Sequence, residues 1–253
     1  MTRIIAVASG KGGAGKTTMA VNIAASLADM GKDVVLVDGN LTTPNVGIHL
    51  GIPLFPVTLH DVLKGRARLE EALYKHKRGL KIIPAGISLN DLRGVDARNL
   101  PNALLEMMGM TDVVIIDVAA GLGREALSAI ESSDELIVIT NPDLPAVTDA
   151  LKAIKLAQQI GTKIKGVVVN RVSKHKHEMT MRQIRDMLDV PILAVIPEDE
   201  AIHESIHKRN PIVFSKPYSR SAQKIRKFSA ELVGEPFIEY KPWYQRLFGW
   251  ESE

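Results

Sequence analysis

The sequence predicts a single-domain α/β fold, a doubly wound, mostly parallel sheet with helices on both faces. Three observations predict it. Short apolar runs alternate with helical patterns along almost all of the 253 residues. Several runs, VVIID and GVVVN among them, are continuous Val/Ile rather than alternating, as a strand covered on both faces requires. A glycine-rich stretch joins the first apolar run to the first helical pattern. Strand–helix alternation of this kind implies right-handed crossovers.

Taken in chain order, strands are expected at 3–9, 33–38, 80–84, 112–117, 135–140, 163–170 and 192–196. Between them, helical periodicity predicts helices at 17–30 (stopped by Gly31), 99–108, 146–159 and 178–188. No repeat or low-complexity tract interrupts this pattern, so residues 1–236 are read as one domain. The last stretch, 237–253, breaks it: six of the eleven aromatic residues lie there, including both tryptophans, Trp243 and Trp250. That segment is read as a separate element.

Composition excludes several classes. There is no cysteine. Disulfides, thiolate zinc sites, iron–sulfur clusters and cysteine nucleophiles are therefore excluded together. The apolar run at the N-terminus is too short for a signal peptide, and no run approaches the ~18 apolar residues of a membrane span. A cytoplasmic protein is expected. The net charge is +3, but residues 208–227 hold seven Lys/Arg and no acid. Such a run reads either as a solvated surface or as a surface for the phosphates of nucleic acid or lipid.

The chemistry starts at Gly10-Lys11-Gly12-Gly13-Ala14-Gly15-Lys16-Thr17, which matches G-x-x-x-x-G-K-[ST] between a strand and a helix. Glycines let backbone N–H groups turn inward around phosphate oxygens, and the helix aims its positive end at them. Lys16 is expected to neutralise β/γ-phosphate charge and Thr17 to ligate Mg²⁺, with the whole stretch from Gly10 to Thr18 forming the cradle. VVIID ends in Asp117, a carboxylate at a strand end suited to hold Mg²⁺ directly or through water. Gly121 and Gly123 in the loop after it suggest a switch. Guanine recognition needs a carboxylate after the strand GVVVN, but Asn170-Arg171-Val172-Ser173 offers none, so an adenine nucleotide is favoured.

The second lysine of the loop, Lys11 in GKGGAGKTT, goes beyond the general pattern. With it the chain resembles the deviant Walker A family of MinD- and ParA-type P-loop ATPases, over nearly its whole length. That resemblance implies ATP/ADP and Mg²⁺ as ligands and an ATP-bound homodimer in which Lys11 reaches the partner's phosphates. It puts the first carboxylate of a D-x-D switch on Asp38, in the magnesium shell, and Asn45 near the partner's nucleotide. The second carboxylate, which orients the attacking water, falls on Asn40. An amide carries no charge and takes no proton, so slow hydrolysis is implied. The resemblance also puts Asn170 and Arg171 at the adenine, lined by Pro197, Glu198 and Asp199.

In the last segment Pro242 suits a helix start. At 100° per residue Trp243, Leu247 and Trp250 share a narrow arc that Tyr244 and Phe248 widen, with Gln245 and Arg246 opposite. YQRLFGW resembles the membrane-targeting tail of MinD-type members. One short helix binds lipid weakly and two linked copies bind far better, so ATP-driven dimerisation would recruit the protein to membrane. A positioning or division-site switch, with a MinE-like or other positioning partner, is the function implied. The alternative is a ParA-like protein that holds DNA non-specifically through 208–227.

Overall fold

The computed structural model describes residues 2–52, 54–173, 175–237 and 239. Among these, eight strands form one sheet: β1 (Arg3–Ala8), β2 (Val34–Gly39), β3 (Tyr74–Lys75), β4 (Lys81–Ile83), β5 (Val113–Val118), β6 (Glu135–Thr140), β7 (Lys163–Val172) and β8 (Ile192–Pro197). The strand order is β3-β4-β2-β5-β1-β6-β7-β8, and every neighbouring pair is parallel except β3 with β4. From β1 the chain moves toward one edge, and from β5 it crosses β1 toward the other. The carboxyl ends of these central strands therefore bracket a crevice, where doubly wound sheets bind ligands.

The helices in chain order are α1 (Lys16–Asp29), α2 (Val46–His49), α3 (Leu59–Leu63), α4 (Leu89–Leu92), α5 (Leu100–Leu105) and α6 (Arg124–Glu131). They continue with α7 (Leu144–Ile160), α8 (Met181–Leu188), α9 (Glu200–His207), α10 (Ile212–Ser215) and α11 (Arg220–Val233). Alternate residues of β1 serve opposite layers. Ile5 and Val7 pack with Ile23 and Leu27 of α1 and Phe228 of α11. Ile4, Ala6 and Ala8 pack with α3, α5, α6, α7 and α8, through residues such as Leu59, Leu104, Ile130, Ile154 and Ile184. Burial on both faces is why the central strands read as unbroken apolar runs.

Several boundaries differ from expectation for local reasons. The helix expected at 99–108 ends at Leu105, because the chain after it turns so that the Met107 and Thr111 carbonyls accept the Thr2 hydroxyl, at 3.2 and 2.6 Å. The helix expected at 178–188 starts at Met181, where Thr180 and Gln183 form a capping box. Strand β3 has only two residues, too few for any periodicity. Residues 208–227, read by charge alone, fold mainly into α10 and α11. There Lys208 and Lys216 pair with Glu204, Lys227 with Glu231, and buried Arg226 with Asp29. The run is thus split among ion pairs and a packed helix rather than gathered into one patch. The amphipathic helix expected from Pro242 onward lies outside the described residues.

Candidate functional site

The cradle is the turn between β1 and α1, and packing dictates its glycines. A Cβ on Gly10 would lie 2.1 Å from the Asp149 carbonyl oxygen of α7. Gly15 has φ +91° and precedes α1 directly; a Cβ there would meet the Asn170 Nδ2 at 2.3 Å. Asn170, at the end of β7, donates from that Nδ2 to the Ala14 carbonyl at 2.9 Å, bracing the loop from behind. No side chain caps α1, so its first N–H groups face a cleft of about 360 Å³. Ser9, Gly12, Gly13 and Gly15 to Thr18 line one side of the cleft. Asn40, Thr43, Asn45, His49, Ala120 and Arg171 complete the lining.

At the floor of the cleft lies a charged centre. Lys16 Nζ is 2.8 Å from Asp117 Oδ1, and the Thr17 hydroxyl donates to Asp117 Oδ2 at 2.6 Å. Asp117 and Asp38 are both 0 % exposed, and they sit opposite each other in the β2–β5 register. Burial, and then the Asp117 charge, push the Asp38 pKa up to about 8, against backbone N–H bonds from Val46 and Asn40 and the charge of Lys16. While Asp38 keeps its proton, the Lys16 ammonium is left to offset the Asp117 carboxylate. Thr17, Asp117 and Asp38 offer only hard oxygen donors, the set that suits Mg²⁺ once phosphate oxygens complete its shell.

The loop after β2 is pinned on several sides. Asp38 accepts N–H bonds from Asn40 at 3.2 Å and from Asn45 and Val46 at 3.0 Å each. The buried Asn40 amide donates to the Thr43 carbonyl at 2.6 Å and accepts from the Thr43 N–H at 3.2 Å. Its side chain therefore staples its own loop as well as lining the cleft. Glu125, in the first turn of α6, accepts from both the N–H and the hydroxyl of Thr42. That pair ties the loop after β2 to the helix following Asp117 and its glycine-containing loop. His60 is fully buried, and burial holds its pKa below the usual imidazole range. The neutral ring accepts from the Gly86 N–H at 2.9 Å, so its other nitrogen donates to the Leu41 carbonyl at 3.1 Å.

The structure brings together Gly12, Gly13, Gly15, Lys16, Thr17, Thr18, Asn40 and Arg171 around one cleft, with Asp38 and Asp117 beneath it. Lys11 is exposed on the rim and absent from the cleft lining. Asn170 is buried beside the cradle, and its Oδ1 has no hydrogen-bond partner among the described residues. Pro197, Glu198 and Asp199 are not among the cleft residues. Asp199 caps α9 and accepts from the Ser221 N–H, the Ser221 hydroxyl donates to the Pro197 carbonyl, and Glu198 meets His203. Sequence reasoning missed Thr42, Glu125 and His60. Only the acid in the first turn of α6 left any signal, and that signal is common to many helices.

Comparison with known proteins gives a consistent picture. The ParA family model, described as NUBPL iron-transfer P-loop NTPase, matches residues 1–233. An uncharacterised ATP-binding protein of Methanocaldococcus jannaschii is 40% identical over 237 residues, which is 94% of this chain and 90% of that one. The septum site-determining protein MinD of Thermotoga maritima is 34% identical over 249 residues, 89% of each chain. Among solved structures, the septum site-determining protein MinD of Pyrococcus horikoshii complexed with Mg-ADP has a TM-score of 0.89 at 39% identity. It covers 92% of this chain and 96% of its own.

Proposed function

Because the chain belongs to the ParA/MinD family of P-loop NTPases, we propose that it is an ATP-driven switch of the MinD type. It pairs with a second copy when ATP is bound, holds a membrane surface through segment 237–253, and hydrolyses ATP slowly. Its task is to position a division site or another complex. The observation that carries this reading is the contrast between two lysines of one loop. Lys16 is buried inside the cleft against Asp117, whereas Lys11 is exposed outside it. In this reading Lys16 meets phosphates bound in its own cleft, and Lys11 those of a facing copy.

Thr17, Asp38 and Asp117 would hold Mg²⁺, which withdraws charge from the phosphates when bound. The Mg-ADP in the Pyrococcus horikoshii relative supports that assignment. Asn170 would offer its unpartnered Oδ1 to an exocyclic amine of the base, with Arg171 beside it. The family model's description names iron transfer, but this chain has no cysteine with which to hold a cluster. The reading with DNA as partner is weakened by the ion pairs that divide residues 208–227.

Sizing in ATP and Mg²⁺ tests the first step. Lys11→Ala should bind ATP as the parent does and remain a monomer under conditions where the parent dimerises. A variant that dimerises like the parent would remove the trans role of Lys11. Liposome sedimentation with ADP, ATP and no nucleotide tests the second. ATP should increase the lipid-bound fraction, and deleting 242–253 should abolish it without weakening ATP binding. Equal sedimentation of parent and truncated protein would end the membrane reading. Salt-titrated binding to duplex DNA gives the contrasting arm.

Slow hydrolysis follows from the amide at position 40. General-base assistance is typically worth ~10² to 10⁴-fold. Asn40→Asp should therefore speed single-turnover hydrolysis at saturating Mg²⁺. It should also lower stability without Mg²⁺ by about 1–2 kcal/mol, since the carboxylate loses its donor to the Thr43 carbonyl. An unchanged or slower turnover would assign the orientation of water to another residue.

A further inference from the structure

At the end of the sheet remote from the cleft lies a groove of about 340 Å³, walled by Leu69 and Leu73 on one side and Met107 and Met110 on the other. Arg68, Glu70 and Glu106 stand on its rim. Beside it, Leu105, Met108 and Met110 are 64, 41 and 47% exposed. Contiguous exposed apolar surface of this kind marks a site where something docks, and methionines make an adaptable lining for aromatic side chains.

We propose that the occupant is this chain's own aromatic segment, residues 240–253. The path of the chain argues for it. Helix α11 runs down to the groove's end of the sheet, where Arg3 donates to the Leu232 carbonyl and Lys32 pairs with Glu235. The next residue, Asp33, accepts the Thr111 hydroxyl at 2.6 Å, and Thr111 directly follows Met110. The chain thus leaves α11 a few neighbours from the groove. Residues 236–243 cover up to about 26 Å when extended, enough to bring Trp243 to it.

The chemistry matches as well. A helix over this segment would gather Trp243, Leu247 and Trp250 on one arc, with Tyr244 and Phe248 at its margins. In water that face is costly to expose, and the groove offers thioethers and leucines to cover it. The acids Glu70 and Glu106 complement Lys241, while Arg68 complements Glu251 and Glu253. The docked segment is withheld from any other apolar surface, so the groove acts as an internal competitor for it. The proposal does not rest on the membrane reading, because a segment that docks and never meets lipid would satisfy it equally.

The chain's composition makes the test clean. Both tryptophans lie in the segment and there is no native cysteine. In the lipid-free full chain, tryptophan emission should be blue-shifted and shielded from iodide. Leu105→Asp with Met110→Asp, both at exposed positions, should red-shift it and raise quenching to the level of a synthetic 240–253 peptide. In a second variant, Met110→Cys with Leu247→Cys, mild oxidation should give a disulfide within one chain, seen as a monomer of altered mobility. Emission in the parent already equal to that of the peptide would overturn the proposal. So would a disulfide that forms only between chains, or none at all.

Discussion

Lys16→Ala is expected to remove measurable ATP binding. Among the described residues, Lys16 carries the only positive charge within hydrogen-bond reach of Asp117, at 2.8 Å, and it sits where the α1 N-terminus and the glycine turn converge on the cleft. Truncating one member of a buried, hydrogen-bonded charge pair costs about 2–5 kcal/mol, which corresponds to roughly 30- to 4,000-fold in affinity. The loss should sit at the upper end, because the phosphates and both carboxylates would then face one another with no ammonium between them. Calorimetric titration with ATP and Mg²⁺ decides it. Parent-like affinity in the variant would mean that phosphates bind elsewhere.

Removing the ionisable group of Asp38 is expected to abolish a loss of stability with rising pH when no Mg²⁺ is present. Its folded-state pKa, pushed up to about 8, lies above the ordinary carboxylate value of 3.8. Below pH 4 the folded and unfolded chains both hold the proton. Between pH 4 and 8 the unfolded chain releases it while the folded chain keeps it. The stability this group confers is therefore full below pH 4 and is lost as pH rises toward 8. Asp38→Asn abolishes that dependence. In chelator at pH 8 the variant should be more stable than the parent by several kcal/mol, with the gap closing toward pH 4. Thermal melts should place the variant well above the parent at pH 8, at about 2–4 °C per kcal/mol for a chain near this size. The same variant should lose Mg²⁺-dependent nucleotide affinity. Parallel melting curves across the pH range would mean that Asp38 is already ionised in the folded protein.

The two variants separate what the loop and strand ends contribute. Lys16 lies in a contiguous motif, so its place was legible before any coordinates. Asp117 and Asp38 were legible as acids closing apolar strands, but their pairing was not. They are 79 residues apart in the chain and become neighbours only because β2 and β5 align in register. The raised Asp38 pKa follows from that alignment and from complete burial, which no local pattern encodes.

The same division runs through the rest of the molecule. Continuous apolar strands, helix periodicity and the glycine-lysine loop are short-range features. A strand buried on both faces has no choice but to be apolar, and a phosphate cradle has no choice but to be glycine-rich. The sequence by itself therefore determined the α/β class, the cradle from Gly10 to Thr18, the strand-end carboxylates and the absence of cysteine chemistry. Tertiary structure alone decided the rest. It turned the basic run 208–227 into ion pairs and a packed helix, because Glu204 approaches Lys216 and Asp29 approaches Arg226 in space. It committed the Thr42 backbone and hydroxyl to Glu125, and Asp199 to the Ser221 backbone. Hydrogen bonds between side chains and distant backbone depend on where crossovers bring the chain back. That return is set by packing of the whole sheet rather than by any run of neighbouring residues.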